Sequence, residues 1–156
     1  MIITNPNEVV RIALSQVGVK EQPRGSNKGP QVDRYTGGNA VPWCALFCLW
    51  VYREAKCPIP GDFSPSPGKM PPMCNVEHFE RVFKEHDWHY MAPKEGDLVF
   101  FSHRGNSDRG PGRHIGIVVK VELDRIQIVD GNWGDSVRNR WVRLDCGEIT
   151  GFGRMG

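Results

Sequence analysis

Two residues stand out for the chemistry they can do together, Cys44 and His114. Cys44 follows Pro42-Trp43 and opens an apolar run of helical character, Ala45-Leu46-Phe47-Cys48-Leu49-Trp50-Val51. At a helix N-terminus the unpaired N–H groups and the positive dipole end stabilise a thiolate, the nucleophilic form of cysteine. The competing reading is a small buried hydrophobe, the usual state of a free cysteine and the one expected for Cys48. His114 begins His114-Ile115-Gly116-Ile117-Val118-Val119, a β-type run, so it lies at an end of a sheet. From there an imidazole reaches a helix packed on that sheet, and base and thiol together would attack a carbonyl. A third group must orient the imidazole through its other nitrogen. In Gln127-Ile128-Val129-Asp130-Gly131-Asn132, period-two alternation places Ile128, Asp130 and Asn132 on one face. Either Asp130 or Asn132 can hold the imidazole, leaving the other to serve an oxyanion or brace the loop. Asp-Gly-Asn is equally ordinary turn chemistry. The remaining histidines fit less well: His78, His86 and His89 fall in or just after an amphipathic helix, and His103 in a polar loop.

The elements that would position these residues come as helices first and strands afterwards. Asn5-Pro6-Asn7-Glu8 supplies an N-cap, a proline at the first helical position and an acidic first turn. Val9, Val10, Ile12, Ala13 and Val17 then repeat at helical spacing, and Gly18 stops the helix. Residues 20–42 read as a polar, Gly-rich loop. A helix from 43 or 44 to about 55 is apolar nearly all round and should be the central buried one. Residues 57–74 hold six of the twelve prolines and read as a stiff surface excursion. Val76, Phe79, Val82 and Phe83 mark a short amphipathic helix. From residue 93 the pattern changes to strands at 97–102, 114–121, 125–130, 137–144 and 149–154. This order predicts an α+β fold with N-terminal helices packed on an antiparallel sheet. A hairpin through 122–124 would set residues 130–132 beside His114.

Composition narrows the partners. The 156 residues, 39% hydrophobic and 24% charged, predict one folded domain spanning 1–156, read as a monomer. Twenty basic residues against eighteen acidic give a net charge of +2, too small to point to nucleic acid. The longest apolar run, 41–52, falls well short of the roughly 20 residues a spanning helix needs, so membrane insertion is not expected. Asn5, Asn7, Glu8 and Arg11 interrupt the stretch a signal peptide would keep apolar. Synthesis in the cytoplasm and another route of release or export are therefore expected. Five cysteines without a CxxC pair argue against a disulfide framework and a structural zinc site. Cys57 and Cys74 bracket the proline-rich stretch and would close it as a disulfide in an oxidising compartment. Residues 102–113 carry Arg104, Arg109 and Arg113 beside the expected active end of the sheet. They read either as contacts for substrate carboxylates or as a solvated loop. Trp133 reads either as a wall of the cleft or as core.

Four motifs in order carry a family resemblance. Pro42-Trp43-Cys44-Ala45 opening an apolar helix resembles the nucleophile motif of the CHAP family, the cysteine, histidine-dependent amidohydrolases/peptidases. Lys94-Glu95-Gly96-Asp97-Leu98-Val99-Phe100-Phe101 resembles that family's first core strand, and His114-Ile115-Gly116-Ile117-Val118 its histidine motif. Asp130-Gly131-Asn132, followed by Gly134-Asp135-Ser136-Val137, resembles the segment with the third and fourth polar residues. The resemblance implies a papain-like α+β fold and hydrolysis of amide bonds in bacterial peptidoglycan. By position it makes Cys44 the nucleophile, His114 the general base, Asp130 the residue orienting His114, and Asn132 a support for the site or the oxyanion. Trp43, Trp133 and Arg113 are read as the residues facing substrate. The family often has Glu where this chain has Asp130, and the shorter side chain would shift some of the orienting onto Asn132. Some relatives bind calcium in an Asp-rich loop before the cysteine; residues 21–41 hold only Asp33 as aspartate, so neither metal nor cofactor is expected. N-acetylmuramoyl-L-alanine amidases and peptidoglycan endopeptidases share this catalytic set. The expected role is a phage lysin, with a holin as partner, or an antibacterial effector with an immunity protein. A detached autolysin domain also fits. Action would be at the cell wall or in the periplasm. A different class of reading is a catalytically silent cell-wall-binding module on the same fold.

Overall fold

A computed structural model describes residue 2, residues 4–102 and residues 113–156. The chain forms α1 (Pro6–Ser15), α2 (Val32–Thr36), α3 (Cys44–Glu54), a 3-10 turn at Pro72–Cys74 and α4 (Val76–Glu85). The strands follow: β1 (His89–Tyr90), β2 (Leu98–Phe101), β3 (His114–Val121), β4 (Arg125–Trp133), β5 (Ser136–Arg143) and β6 (Ile149–Gly153). They make one six-stranded sheet, ordered β1-β6-β2-β3-β4-β5, with every neighbouring pair antiparallel. The expected α+β architecture, helices first and an antiparallel sheet after, is the one observed.

Strand alternation divides the apolar residues between the two faces of the sheet. Leu98, Phe100, Ile115, Ile117 and Val129 face the helices and join their side chains in one core. Val99, Phe101, Val118, Ile126 and Ile128 form a second cluster on the opposite face. In α3, Cys44 through Tyr52 are all buried, as a helix without a polar face must be. It packs on β3 and β4, the two strands that carry the histidine and the carboxylate. No helix among the described residues is long and apolar enough to cross a membrane.

Three departures from the expected elements have physical causes. First, α1 stops at Ser15, and Val17 is exposed, because the chain turns there so that Gly18 and Val19 can bond to the backbone of Val137. Second, the loop at 20–42 contains α2, whose Tyr35 ring lies against Trp43, Phe47 and Trp50. Five residues are too few to show a helical period, and aromatic packing decides the matter. Third, the proline-rich stretch is not purely superficial: Cys57, Ile59 and Met73 are buried in the core. Cys57 and Cys74 are free thiols and not the expected disulfide. Cys57 lies in the core beside Asn5, whereas Cys74 lines a cleft on another part of the surface.

Candidate active site

Cys44 is the first residue of α3, and its side chain opens into a cleft of about 410 Å³. Val41, Pro42, Met70 and Val76 give this cleft apolar walls, and Glu77 and Arg113 stand on it as charged groups. Trp43, the N-cap residue, makes no side-chain cap for the helix. It points into the core instead: the ring is completely buried, stacks on Tyr35 and donates Nε1–H to Glu21 Oε2 at 2.8 Å. The expectation that Trp43 faces substrate is therefore corrected. Its work is to anchor the start of α3, and it has no free surface to offer. Gly131 is part of that anchor, since a Cβ there would meet the Trp43 ring at 2.8 Å and Phe47 Cβ at 2.9 Å. Only glycine lets β4 approach the helix so closely.

His114 begins β3 on the sheet face opposite Ile115 and Ile117, and it is buried. The pairing of Ile117 with Val129 puts Asp130 on that same face, one step along β4 and diagonal to His114. Gly116 lies between them, where a Cβ would come within 3.2 Å of Asp130 Cβ, so the carboxylate has a clear path. His114 Nε2 and Asp130 Oδ2 are 2.6 Å apart, a short charge-assisted bond. The Cys44 thiol bonds the same imidazole, so three residues from α3, β3 and β4 form one hydrogen-bonded chain. With Nε2 given to Asp130, Nδ1 is the nitrogen left for sulfur.

The electrostatics follow from this arrangement. Burial by itself would push the imidazole toward its neutral form, but the bond to Asp130 and the sulfur of Cys44 outweigh it. The His114 pKa is lifted from the usual 6.5 to about 9, so the ring is an imidazolium at neutral pH. Asp130 is wholly buried, which alone would favour its protonated form. Contacts with His114 and Arg140 overcome that and hold the carboxyl below its ordinary range. Burial pushes the Cys48 thiol well up, and the charges of Cys44 and Asp130 add to the effect, which leaves Cys48 inert.

Asp130, and not Asn132, supplies the bond to His114. The register of β4 against β5 shifts between Asp130 and Trp133, and Asn132 takes a left-handed φ of 59°. This bulge breaks the alternation that would have kept Asp130 and Asn132 in phase. Asn132 is buried, and its Oδ1 has no hydrogen-bond partner among the described residues. The same bulge turns half-buried Trp133 onto the imidazole, with ring centres 5.4 Å apart. Arg113 lines the cleft with Cys44, and its Nη2 lies 3.2 Å from Oε1 of buried Glu80. Glu80 also bonds His89 Nε2 at 2.8 Å and the Thr150 hydroxyl at 2.6 Å, which gives His89 a structural place. His103, Arg104 and Arg109 lie outside the described residues. Among the described residues no group of three or more His, Cys, Asp or Glu side chains is arranged to hold a metal ion.

One site residue escapes the sequence reading. Arg140 on β5 donates to Asp130 Oδ2 from Nη2 at 2.8 Å and from Nε at 3.0 Å. Its guanidinium lies 3.6 Å from the centre of the Trp133 ring. The available signal is its phase: Arg140 shares a strand face with Val142, which is buried in the second apolar cluster.

A family model for the CHAP domain matches residues 36–132. No curated protein matches the chain. Among solved structures, the crystal structure of Ly7917 with the hydrolyzing product of MDP superposes with a TM-score of 0.60 at 16% identity. The crystal structure of Ly7917 superposes with a TM-score of 0.51 at 14% identity. Both matches cover 96% of this chain, which spans 62% of the length of those chains. At such identity the likeness is one of fold, and it supports the papain-like α+β arrangement. The family match runs over more than half of the sequence, from the end of α2 to Asn132, and takes in Cys44, His114 and Asp130; the chain belongs to the CHAP domain family.

Proposed function

We propose that this chain hydrolyses amide bonds of bacterial peptidoglycan by covalent catalysis, with Cys44 as nucleophile and His114 as base and acid. The carrying observation is a helix-N-terminal cysteine bonded to an imidazole whose far nitrogen is held at 2.6 Å by a buried carboxylate. That is a nucleophile, a base and an orienting group in one line. The imidazolium and the N-terminus of α3 favour the thiolate, which attacks the amide carbonyl carbon. Backbone N–H groups at the start of α3, that of Cys44 among them, receive the oxyanion; one such donor is worth roughly 3 kcal/mol. His114 gives its proton to the departing amine, and the C–N bond breaks. The neutral imidazole then takes a proton from water, whose oxygen attacks the thioester carbon; the C–S bond breaks, leaving the Cys44 thiolate, charged His114 and a carboxylic acid that ionises to solvent. Asn132, buried and with no partner for its Oδ1 among the described residues, is the polar residue that supports the site or the oxyanion. Trp133 walls the site, and Arg113 stands on the cleft where a carboxylate of a stem peptide would lie.

The crystal structure of Ly7917 with the hydrolyzing product of MDP supports this substrate class, since the two chains share a fold. The bond cut is the N-acetylmuramoyl-L-alanine amide or a peptide bond of the stem or cross-bridge. The proposal takes residues 1–156 as one catalytic domain that acts, as a phage lysin or an exported antibacterial effector, at the cell wall or in the periplasm. The test is digestion of isolated peptidoglycan by the wild type beside Cys44→Ala, with mass spectrometry of the soluble products. Release by the wild type alone is expected, and the new termini separate amidase from endopeptidase. No release from several wall chemotypes, with Cys44 slow toward iodoacetamide at neutral pH, would leave a silent wall-binding module.

A further inference from the structure

Asp130 is asked to serve two cations through one oxygen. Oδ2 receives His114 Nε2 at 2.6 Å, Arg140 Nη2 at 2.8 Å and Arg140 Nε at 3.0 Å, while Oδ1 is only 3.3 Å from Arg140 Nε. We propose that Arg140 is a positioning residue for the Cys44–His114 pair, fixing the shared oxygen of Asp130 and limiting how tightly the imidazole holds its proton. The inference rests on the reading of Cys44 and His114 as the reacting pair.

The geometry gives Arg140 both parts of that role. Its guanidinium is planar, permanently charged and forked, so it locks a carboxylate in a plane where a point charge would not. It is held in turn by Trp133, 3.6 Å beneath it, and that indole lies 5.4 Å from the His114 ring. Arg140, Trp133 and Asp130 thus bound the imidazole from two sides. Among the described residues, the charged and titratable neighbours of this cluster are few. From α3 come Cys44 and Cys48, from β3 His114, and from β2 the uncharged Phe101. Arg138, opposite Asp130 across β4 and β5, turns away to Ser136 Oγ. Among the described residues, Arg140 is therefore the cation that competes with the imidazolium for Asp130. Unopposed, a fully buried carboxylate would bind the imidazole proton too firmly for its transfer to a leaving amine, whereas general acid–base catalysis works best near the operating pH. Repulsion from a fixed cation behind the carboxylate lowers that hold.

The pH dependence of Cys44 alkylation by iodoacetamide tests this without any wall substrate. In the wild type the upper transition, where the imidazolium loses its proton, is expected near pH 9. Arg140→Met should raise it by about half a pH unit or more, and Arg140→Lys, which keeps the charge, should leave it within about 0.2. A role in packing alone predicts the opposite sign: a loosened Asp130 would let the transition fall. A folded Arg140→Met protein with an unmoved or lowered upper transition overturns the proposal. If Arg140→Met does not fold, Arg140→Gln, neutral but able to donate one bond to Asp130, must show the same upward shift or the proposal fails. A wild-type profile with a single step, like that of a simple thiol, would instead defeat the reading of the pair itself.

Discussion

Replacing Asp130 by asparagine removes one charge and almost no volume, so it isolates what the carboxylate does. Lifting His114 from 6.5 to about 9, at about 1.4 kcal/mol per pH unit, means that the site favours the imidazolium by about 3 kcal/mol. Burial works against that preference, and the Asp130 bond is the first contribution in its favour. In Asp130→Asn burial faces only the Cys44 contribution, and the transition should fall by about one pH unit or more. The new amide also has a preferred orientation. Arg140 offers only N–H groups, so the amide oxygen takes the place of Oδ2 and accepts from Arg140 and from His114 Nε2 alike. The tautomer is kept, but a neutral acceptor no longer stabilises the imidazolium. A fall of about one pH unit makes the thiolate–imidazolium pair about tenfold less favoured. The assay is the rate of soluble fragment release from isolated peptidoglycan between pH 5 and 10, with iodoacetamide alkylation at pH 7 alongside. The variant should turn over about tenfold or more slowly, and its cysteine should alkylate slowly. Stability should respond too. A group whose folded pKa is raised stabilises fully below its unfolded value and loses that contribution as pH passes its folded value. The urea midpoint of the wild type should therefore fall between pH 6.5 and about 9 more steeply than that of Asp130→Asn. Turnover within about threefold of wild type, with the alkaline limb unmoved, would mean that Asp130 does not hold the imidazolium.

Two further substitutions probe the anchor beneath Cys44. Gly131→Ala sets a methyl group 2.8 Å from the Trp43 ring and should cost about 1–3 kcal/mol in urea unfolding; a loss under about 0.5 kcal/mol would mean that β4 and α3 separate freely. Trp43→Phe keeps the core ring but removes the indole N–H bond to the buried Glu21 carboxylate, and a loss of about 1–3 kcal/mol is expected in the same assay. The alkylation profile of Cys44 should not move in Trp43→Phe; loss of wall hydrolysis without loss of stability would return Trp43 to the substrate.

The residues that sequence reasoning placed well are those whose position is announced by a change of pattern. Cys44 stands where a polar loop gives way to an apolar helix, and His114 where a strand begins; both boundaries are observed. The hairpin from β3 to β4 then carries Asp130 to His114, because it has a short connection and an unambiguous apolar alternation. What could not be read depends on three-dimensional circumstances. The bulge after Asp130 is a backbone choice at Asn132, and period-two alternation contains no sign of it. Trp43 sits beside Cys44 in sequence yet faces the other way, since a side chain at a helix start and its neighbour diverge. Arg140 occurs in Ser136-Val137-Arg138-Asn139-Arg140-Trp141, where arginines on an edge strand read as a solvated surface. The register sets Arg138 opposite Asp130, and only the side-chain directions reveal that Arg140, a diagonal neighbour, is the one that reaches the buried carboxylate.

These placements also bear on rigidity. Cys44, His114 and Asp130 come from α3, β3 and β4, which pack on one another at the centre of the molecule. A helix buried on every side cannot shift without disturbing the whole core, so the sulfur–imidazole distance is set by packing that also sets global stability. The adaptable parts lie around this centre: the 3-10 turn and proline-rich stretch that bring Met70 and Cys74 to the cleft, and Arg113 at the start of the histidine strand. Differences in the bond recognised should accordingly arise from substitutions along the cleft walls. Substitutions in α3 should change activity and unfolding midpoint together, because the same contacts serve both.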